Sequence, residues 1–577
     1  MLSFVIAKMI NVWLLFCLIL LAAIYARHRA YPRPYKGIPH SAQSARRLLG
    51  DIPDMIQFVK DGNDPDDFIS HRCRKLNSPI IQLFFMPFSS PLIFLDDIGE
   101  SENIVSTRTR ELDRAPMTVK TFLPFFSSAS ILKQTTPEWR AQRRLWKDTM
   151  GQDFLRRVAA PETYKVAVQL MELFRLKINI AKGRPFSVRT DFNLCALDVI
   201  WAAFLGSELH GIRNEIRDLR GNAQDNGLTR QLISLDSPAA MPSTVRGELY
   251  EAIEFLNSML NLSLTSWLPG WYHWILRQLP RYRRCWALKT KIIDDHIQKA
   301  RKRFAASVSQ NTDSSKICAI DLVFCREQSA KARPKASAFV IPPTDEEMHD
   351  ELFMMLIAGH ETTATTLCWC AKLLTNNAES QARLRAALKA AFPKADQLTW
   401  KDILDTDIPY LDAALEECVR LASIVPRIVR VALDDTEILG HTIPRGAQIL
   451  CTTSVCQHTL KKYPNNRDAR KSHQDDKSVA SSRCDSEAQD MDVFCPERWL
   501  DDAGAFNSQA VSKMAFSGGP RVCFGKKFAM LELRILLVLL LMNFRLESIP
   551  EELNSMRTDP GALRIPRHAF VRLTNLD

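Results

Sequence analysis

Phe516-Ser-Gly-Gly-Pro-Arg-Val-Cys-Phe-Gly525 is the stretch on which the reading of this chain turns. It sets one cysteine, Cys523, in a glycine-bounded loop. Gly518-Gly519-Pro520 predicts a tight turn of the kind glycine enters freely at positive φ. Arg521 puts a fixed cation two residues before the sulfur, and Gly525 leaves room for a backbone or a flat ligand. Lys526 to Leu541 then reads as a long apolar helix. A thiolate beside exposed N–H groups and a helix N-terminus is stabilised as an anion, which is what a metal-ligating cysteine needs. A free cysteine elsewhere more often packs as a small hydrophobe; the full spacing Phe-x-x-Gly-x-Arg-x-Cys-x-Gly sets this one apart.

The rest of the 577-residue chain has the composition of a globular protein, 46% hydrophobic and 24% charged. Its 14 cysteines are scattered without framework spacing, which argues for a reduced body rather than a disulfide scaffold. Cys368 and Cys370, two apart on a helix, point in different directions. Net charge is +11, which suits anionic lipid or an acidic protein partner. No basic run is interleaved with aromatics, so nucleic acid is not the expected partner.

The N-terminus predicts an anchor over residues 1–25. Leu2 to Tyr25 is apolar apart from Ser3, Lys8 and Asn11, and about 20 residues suffice to span a bilayer if Lys8 snorkels. Arg27, His28, Arg29, Arg33 and Lys36 follow at once, which keeps that flank cytoplasmic. A cleaved signal peptide is the rival reading, but a strongly basic start and a small-x-small cleavage site are missing. Residues 26–45 form a proline-rich hinge, stiff and extended over Tyr31–Pro39.

Residues 46–577 read as one large, mainly α domain with small β-sheets. Ile80–Phe85 and Leu92–Leu95 predict a hairpin, and Ile438–Leu450, with Gly440, Pro444 and Gly446, another. Glu138–Thr149, Tyr164–Ala181, Thr190–Leu205 and Trp286–Ser307 predict helices. Ser309–Lys316 reads as a loop. Residues 467–490, polar and charged, read as a disordered surface insertion.

Thr344–Leu373 is the second informative segment. Thr344 followed by Asp345, Glu346 and Glu347 is an N-cap with first-turn acids. The helix then carries Gly359, at a cost of about 1 kcal/mol against alanine, and Glu361, costly to bury without a partner. Ala358 and Gly359 could leave room for a flat ligand, while Glu361 and Thr362 supply a carboxylate and a hydroxyl. Two structural readings stand beside this one: Gly359 admitting a crossing helix, and Thr362 bonding back to the Ala358 carbonyl. His360 is expected to point away from the face of Ala358 and Thr362, as a packed or hydrogen-bonded histidine. In Glu417-Cys-Val-Arg420 the acid and base can meet on one helix, and the apolar neighbours predict that the pair is buried. Phe494-Cys-Pro-Glu-Arg-Trp499 offers a second arginine, Arg498. Trp139-Arg-Ala-Gln-Arg143 puts an indole and a guanidinium on one helix face.

Together these residues resemble the cytochrome P450 monooxygenases. Phe516, Gly519, Arg521, Cys523 and Gly525 match that family's haem-ligand loop, and Ala-Gly-x-Glu-Thr-Thr is similar to its distal oxygen-groove helix. The resemblance implies the mainly α P450 fold behind a single N-terminal transmembrane helix, with Cys523 as axial ligand to the iron of haem b. Phe516, Ala358 and Gly359 would contact the haem. Trp139, Arg143, Arg430 and Arg521 would hold its propionates, a task that suits arginine forks. Glu361 and Thr362 would be the proton-delivery acid and alcohol, and Glu417, Arg420 and Arg498 a structural triad. Phe122, Phe125, Phe126, Met354, Ile424 and Val425 stand where the family builds pocket walls, and core packing is the alternative for each. The implied reaction inserts one atom of O2 into an apolar, membrane-partitioned small molecule, by hydroxylation or epoxidation. No Gly-x-Gly-x-x-Gly follows a strand, so electrons are expected from NADPH through a separate acidic flavoprotein reductase. The expected location is the endoplasmic reticulum membrane, single-pass, with the catalytic domain cytoplasmic. Tyr31–Asp54 is similar to fungal members, which suggests secondary metabolism. The readings left open are a haem-thiolate isomerase or dehydratase that needs no reductase, and a non-catalytic haem-binding membrane protein.

Overall fold

The computed structural model describes residues 13, 15–22, 24–25, 29–65, 67–225, 234–266, 269–310, 318–332, 344–394, 397–453, 491–512, 514–559, 561 and 563–576. The expected insertion at 467–490 lies outside them, as do residues 1–12 of the expected anchor. Trp13, 15–22, Ile24 and Tyr25 are helical and exposed. Among the described residues no helix is long and apolar enough to cross a membrane.

The described chain is mainly helical, with small sheets, and falls into two compact units although no linker in the sequence separates them. One unit takes residues up to Ala115 together with Arg427–Thr452. Its centre is a five-stranded sheet in the order β1-β2-β8-β5-β3. These strands are β1 (Ile80–Leu83), β2 (Leu92–Leu95), β3 (Leu112–Arg114), β5 (Arg427–Ala432) and β8 (Gln448–Thr452), numbered in chain order. β1 and β2 form the expected antiparallel hairpin, Leu83 opposite Leu92, and β2 runs parallel to β8.

The second expected hairpin is shorter than its apolar run. It is β6 (Thr436–Ile438) with β7 (His441–Ile443), turned by Leu439 and Gly440, both at positive φ. The remainder of the run leaves the hairpin to become β8 in the larger sheet. The proline-rich segment docks rather than hangs free. Buried Gln82 donates to the carbonyls of Tyr35 at 2.9 Å and Ile38 at 2.8 Å and accepts from the Tyr35 N–H at 2.8 Å. An extended backbone outside any sheet needs partners of this kind for its polar groups.

The other unit holds Pro116–Pro426, Thr453 and the described residues beyond 490. Eight of its helices position the site: α1 (Pro137–Leu145), α2 (Arg189–Leu205), α3 (Glu248–Thr265), α4 (Pro269–Leu276), α5 (Pro280–Gln310), α6 (Asp345–Asn376), α7 (Pro409–Ala422) and α8 (Lys526–Asn543). The helix α5 takes in Ser309 and Gln310, which the sequence suggested were loop; residues 311–316 lie outside the described set. A three-stranded sheet orders β4 (Phe186–Ser187), β12 (Phe570–Asn575) and β9 (Phe544–Glu547), and β10 (Thr558–Asp559) pairs with β11 (Ile565–Pro566).

The helix α6 opens on a complete capping box. The Thr344 hydroxyl accepts from the Glu347 N–H at 3.1 Å, and the Glu347 carboxylate accepts from the Thr344 N–H at 3.2 Å. It then runs through the core, buried on nearly every side, and so does α2. Helices apolar all round belong inside a large protein. They cross at Gly359, where an added Cβ would come within 2.0 Å of Ile200 Cδ1.

Candidate active site

The cysteine loop is built by its own backbone. Ser517 and Gly519 both take φ of +61°, the Cys523 N–H donates to the Phe516 carbonyl at 2.8 Å, and Gly519–Arg521 forms one 3₁₀ turn. Gly518 is extended at φ −142°, so the positive-φ turn rests on Gly519 and Ser517. The loop delivers Cys523 just ahead of α8, whose Ala529 N–H bonds the Gly525 carbonyl at 2.8 Å. A Cβ on Gly525 would meet nothing within 4 Å.

Cys523 is exposed, yet enough protein surrounds it that desolvation is the largest influence on its thiol. The N–H groups of Gly525 and Lys526 and the charges of Arg143 and Lys526 favour the thiolate as expected, but burial outweighs them and the pKa is raised. The expected stabilisation of the thiolate by N–H groups and cations is present, with a desolvation opposing it that the sequence did not show. A coordinated metal deprotonates a thiol outright.

Two of the three arginines expected to hold the propionates meet at one indole. Arg143 donates from Nη2 to the Val522 carbonyl at 3.2 Å, with its guanidinium 4.5 Å from the Phe524 ring centre and 5.4 Å from that of Trp139. Arg521 lies 4.1 Å from the same indole and donates to Thr135 Oγ1 at 2.9 Å and to the Lys133 carbonyl at 2.6 Å. Trp139 thus lies within cation–π distance of two guanidiniums, a contact the i, i+4 spacing showed for Arg143 only. Arg430 sits in the other unit, buried on β5 opposite Arg114 and Ile449, with Nη1 donating to the Val429 carbonyl at 3.0 Å. Phe516 is half-buried, its ring 5.6 Å from the Lys526 ammonium.

Below the loop, Glu417 is fully buried and binds every expected partner. Arg420 donates to it twice at 2.8 Å and Arg498 once at 3.0 Å. Two further donors, the Trp499 indole at 2.9 Å and the Cys495 N–H at 3.1 Å, complete it. Burial alone would raise this carboxyl; Arg420, Arg498 and Trp499 together bring it below its ordinary value.

On α6, Gly359 does not open space for a flat ligand: Ile200 takes that space, and the crossing-helix reading holds. Ala358 is exposed. The Thr362 hydroxyl donates to the Ala358 carbonyl at 2.7 Å, as the second structural reading anticipated. His360 is buried with Nδ1 2.7 Å from the Leu356 carbonyl, and desolvation lowers its pKa to about 4. Glu361 accepts from Asn261 Nδ2 at 2.8 Å and also hydrogen-bonds Asn257; burial raises its pKa and the two amides oppose the rise. No local motif foretold Asn257 and Asn261, which come from α3, about 100 residues upstream.

Of the expected wall residues, Phe125 and Phe126 are fully buried in aromatic packing. Phe126 meets Phe353 at a tilt with ring centres 5.4 Å apart, and Phe125 meets His273 edge-on at 4.6 Å. Phe122 and Met354 are half-buried against the same core. Ile424 packs with Trp369 and Ala422, while Val425 is exposed.

The Cytochrome P450 family model matches residues 55–479 and 489–573. The chain is 30% identical to "Cytochrome P450 monooxygenase GME11363" of Pestalotiopsis microspora, covering 97% of each chain. It is 31% identical to "Cytochrome P450 monooxygenase xilC" of Penicillium rubens, over 93% of this chain and 91% of that one. The "Crystal structure of cytochrome P450DA heme domain" superposes with a TM-score of 0.63 at 17% identity, covering 95% and 98% of the two chains. The chain belongs to the cytochrome P450 family, and it is a cytochrome P450 monooxygenase of the haem-thiolate class.

Proposed function

We propose that the protein is a membrane-anchored haem-thiolate monooxygenase that inserts one oxygen atom from O2 into an apolar small molecule, by hydroxylation or epoxidation, in secondary metabolism. The observation that carries the reading is the accessible Cys523 sulfur beside the bare Gly525, with Arg143, Arg521 and Trp139 fixed around its loop. This donor set suits a flat, dianionic, iron-bearing ring such as haem b. Bound there, haem supplies oxygen activation, and a thiolate ligand pushes electron density that favours O–O cleavage.

The protein's own groups have separable tasks. Arg143 and Arg521 would take the propionates. The Glu417 network holds the loop from beneath. The Glu361 carboxyl, its pKa raised by burial, holds a proton closer to neutral pH than an exposed acid does. The Thr362 hydroxyl keeps its oxygen lone pairs available while its hydrogen is directed to Ala358.

Electrons would come from NADPH through a separate flavoprotein reductase, and the net charge of +11 favours an acidic partner. Membrane association is supported by the apolar run Val12–Ile24 and the basic residues after it, which also suggest a single span in the endoplasmic reticulum with the catalytic unit cytoplasmic. A second support is α4, where Trp271, Trp274 and Ile275 are all more than half exposed, with Arg277, Arg281 and Arg283 after them. Exposed tryptophans backed by arginines suit a lipid interface.

The test is the reduced, CO-bound spectrum, followed by NADPH consumption with a reductase across a lipid library. A thiolate-type spectrum with substrate-dependent oxygen uptake is expected. An imidazole-type spectrum would overturn the Cys523 assignment. A thiolate spectrum without NADPH-dependent uptake would favour an isomerase or dehydratase that needs no reductase.

A further inference from the structure

Glu361 is the acid on which proton delivery rests in the reading above, and its partners are of an unusual kind for a buried carboxylate. Charges taken out of water are normally met by a cation. Here two neutral amides from one helix do the work: Asn261 Nδ2 donates to Oε1 at 2.8 Å, and Asn257 adds a second side-chain hydrogen bond. The two asparagines are four apart on α3 and so share one face of it. The charged group that acts on Glu361 is Arg189, through space and without a hydrogen bond. Its guanidinium is already paired with Asp559, both Nη atoms at 3.2 Å. Of its neighbours on α6, His360 turns to the Leu356 carbonyl and Thr362 to the Ala358 carbonyl.

An amide differs from a guanidinium or an ammonium in one decisive respect. Arginine and lysine only donate, so they favour the carboxylate and oppose its protonation. Asparagine carries both a donor and an acceptor, so it can serve a carboxylate through Nδ2 and a carboxylic acid through Oδ1. Asn257 Oδ1 is buried and takes no hydrogen bond among the described residues. An acceptor is thus available on an amide that already touches Glu361.

We propose that Asn257 and Asn261 are positioning residues that hold Glu361 in a setting serving both its protonated and its ionised form, so that it can release a proton and take one back from solvent. The inference rests on the assignment of Glu361 as the proton-delivering acid. It adds that α3, more than any cation, offsets the rise that burial imposes on that acid.

The experiment follows the infrared C=O band of protonated Glu361 against pH in the full-length holoenzyme, assigned by its loss in Glu361→Gln. Product formed per NADPH is measured in parallel. Asn261→Leu and Asn257→Leu remove a donor and are expected to move the band's midpoint up by about one pH unit. Asn261→Lys supplies a cation and should move it down. Both directions should lower coupling, and Asn261→Gln should restore part of it. Opposite shifts are the signature, since a merely structural role would not reverse sign. Should a leucine variant not fold, Asn261→Ala supplies the upward arm against Asn261→Lys. A midpoint unmoved by the folded variants, or moved the same way by Leu and Lys, overturns the inference. Unchanged coupling in Glu361→Gln instead overturns the proton-delivery reading beneath it, so the two failures can be told apart.

Discussion

Arg420 grips Glu417 with a fork: Nε meets Oε2 and Nη2 meets Oε1, both at 2.8 Å, one helical turn apart on α7. On a surface such a pair would contribute under about 1 kcal/mol. Here the carboxylate is wholly buried, and its removal would take from Arg420, Arg498 and the Trp499 indole the acceptor they share. Glu417→Ala is expected to cost roughly 3–5 kcal/mol. Chemical denaturation of the holoprotein measures it, and a loss below about 1 kcal/mol would mean the network relaxes on its own.

The same carboxyl gives an acid dependence with a definite sign. Its folded pKa is lowered, so its contribution is present above the unfolded value and disappears as pH falls through the folded one. His360 acts in the same direction from higher pH. Buried neutral with a pKa of about 4, it binds a proton more readily when unfolded, so stability begins to fall below about pH 6.5. Urea midpoints between pH 7 and 4 should decline, and less steeply in His360→Gln. Parallel slopes in the two proteins would remove His360 from the account.

Gly359 faces Ile200 so closely that any side chain must displace it. Gly359→Ala should destabilise the fold by about 1–3 kcal/mol through overpacking. The double variant with Ile200→Ala should recover much of that loss, because the two sites share one space. Additive losses would show that the crossing tolerates the methyl by other means.

Arg143 and Arg521 flank one indole, and each also braces the backbone near the cysteine loop. Replacing either by leucine should speed haem loss to an acceptor globin by roughly tenfold, on the scale of one charge-assisted hydrogen bond. The thiolate-type spectrum of the haem retained should persist. Cys523→Ser should behave in the opposite way, keeping the fold and losing that spectrum. Retention of the thiolate signature in Cys523→Ser would remove the cysteine from the axial position.

The exposed Trp271 and Trp274 give a test of lipid contact that does not depend on the N-terminal segment. In a variant lacking residues 1–29, flotation with vesicles containing anionic lipid should persist and should fall several-fold in Trp271→Ser/Trp274→Ser. Equal flotation of the two would confine membrane contact to the anchor.

Much of the molecule is legible locally. The capping box at Thr344, the hairpin of β1 and β2, the helix after Gly525 and the backbone-closed cysteine loop follow from turn chemistry, capping and apolar periodicity, all short-range effects. So does the pairing of Glu417 with Arg420, because three residues along a helix bring side chains together whatever the fold. The glycine at 359 was legible as an anomaly but not in its cause: a missing Cβ records that something approaches, not what, and Ile200 lies more than 150 residues away.

Charge and burial needed the tertiary structure. The sequence places cations and N–H groups about Cys523, but how much water the fold removes decides that its thiol lies above its ordinary value rather than below. The partners of Glu361 were likewise beyond local reading, since Asn257 and Asn261 gain meaning only when α3 is laid against α6. Short-range rules thus named the chemistry-bearing residues of this protein. Desolvation and contacts between distant helices, which depend on the whole packed chain, decided their proton affinities and their partners.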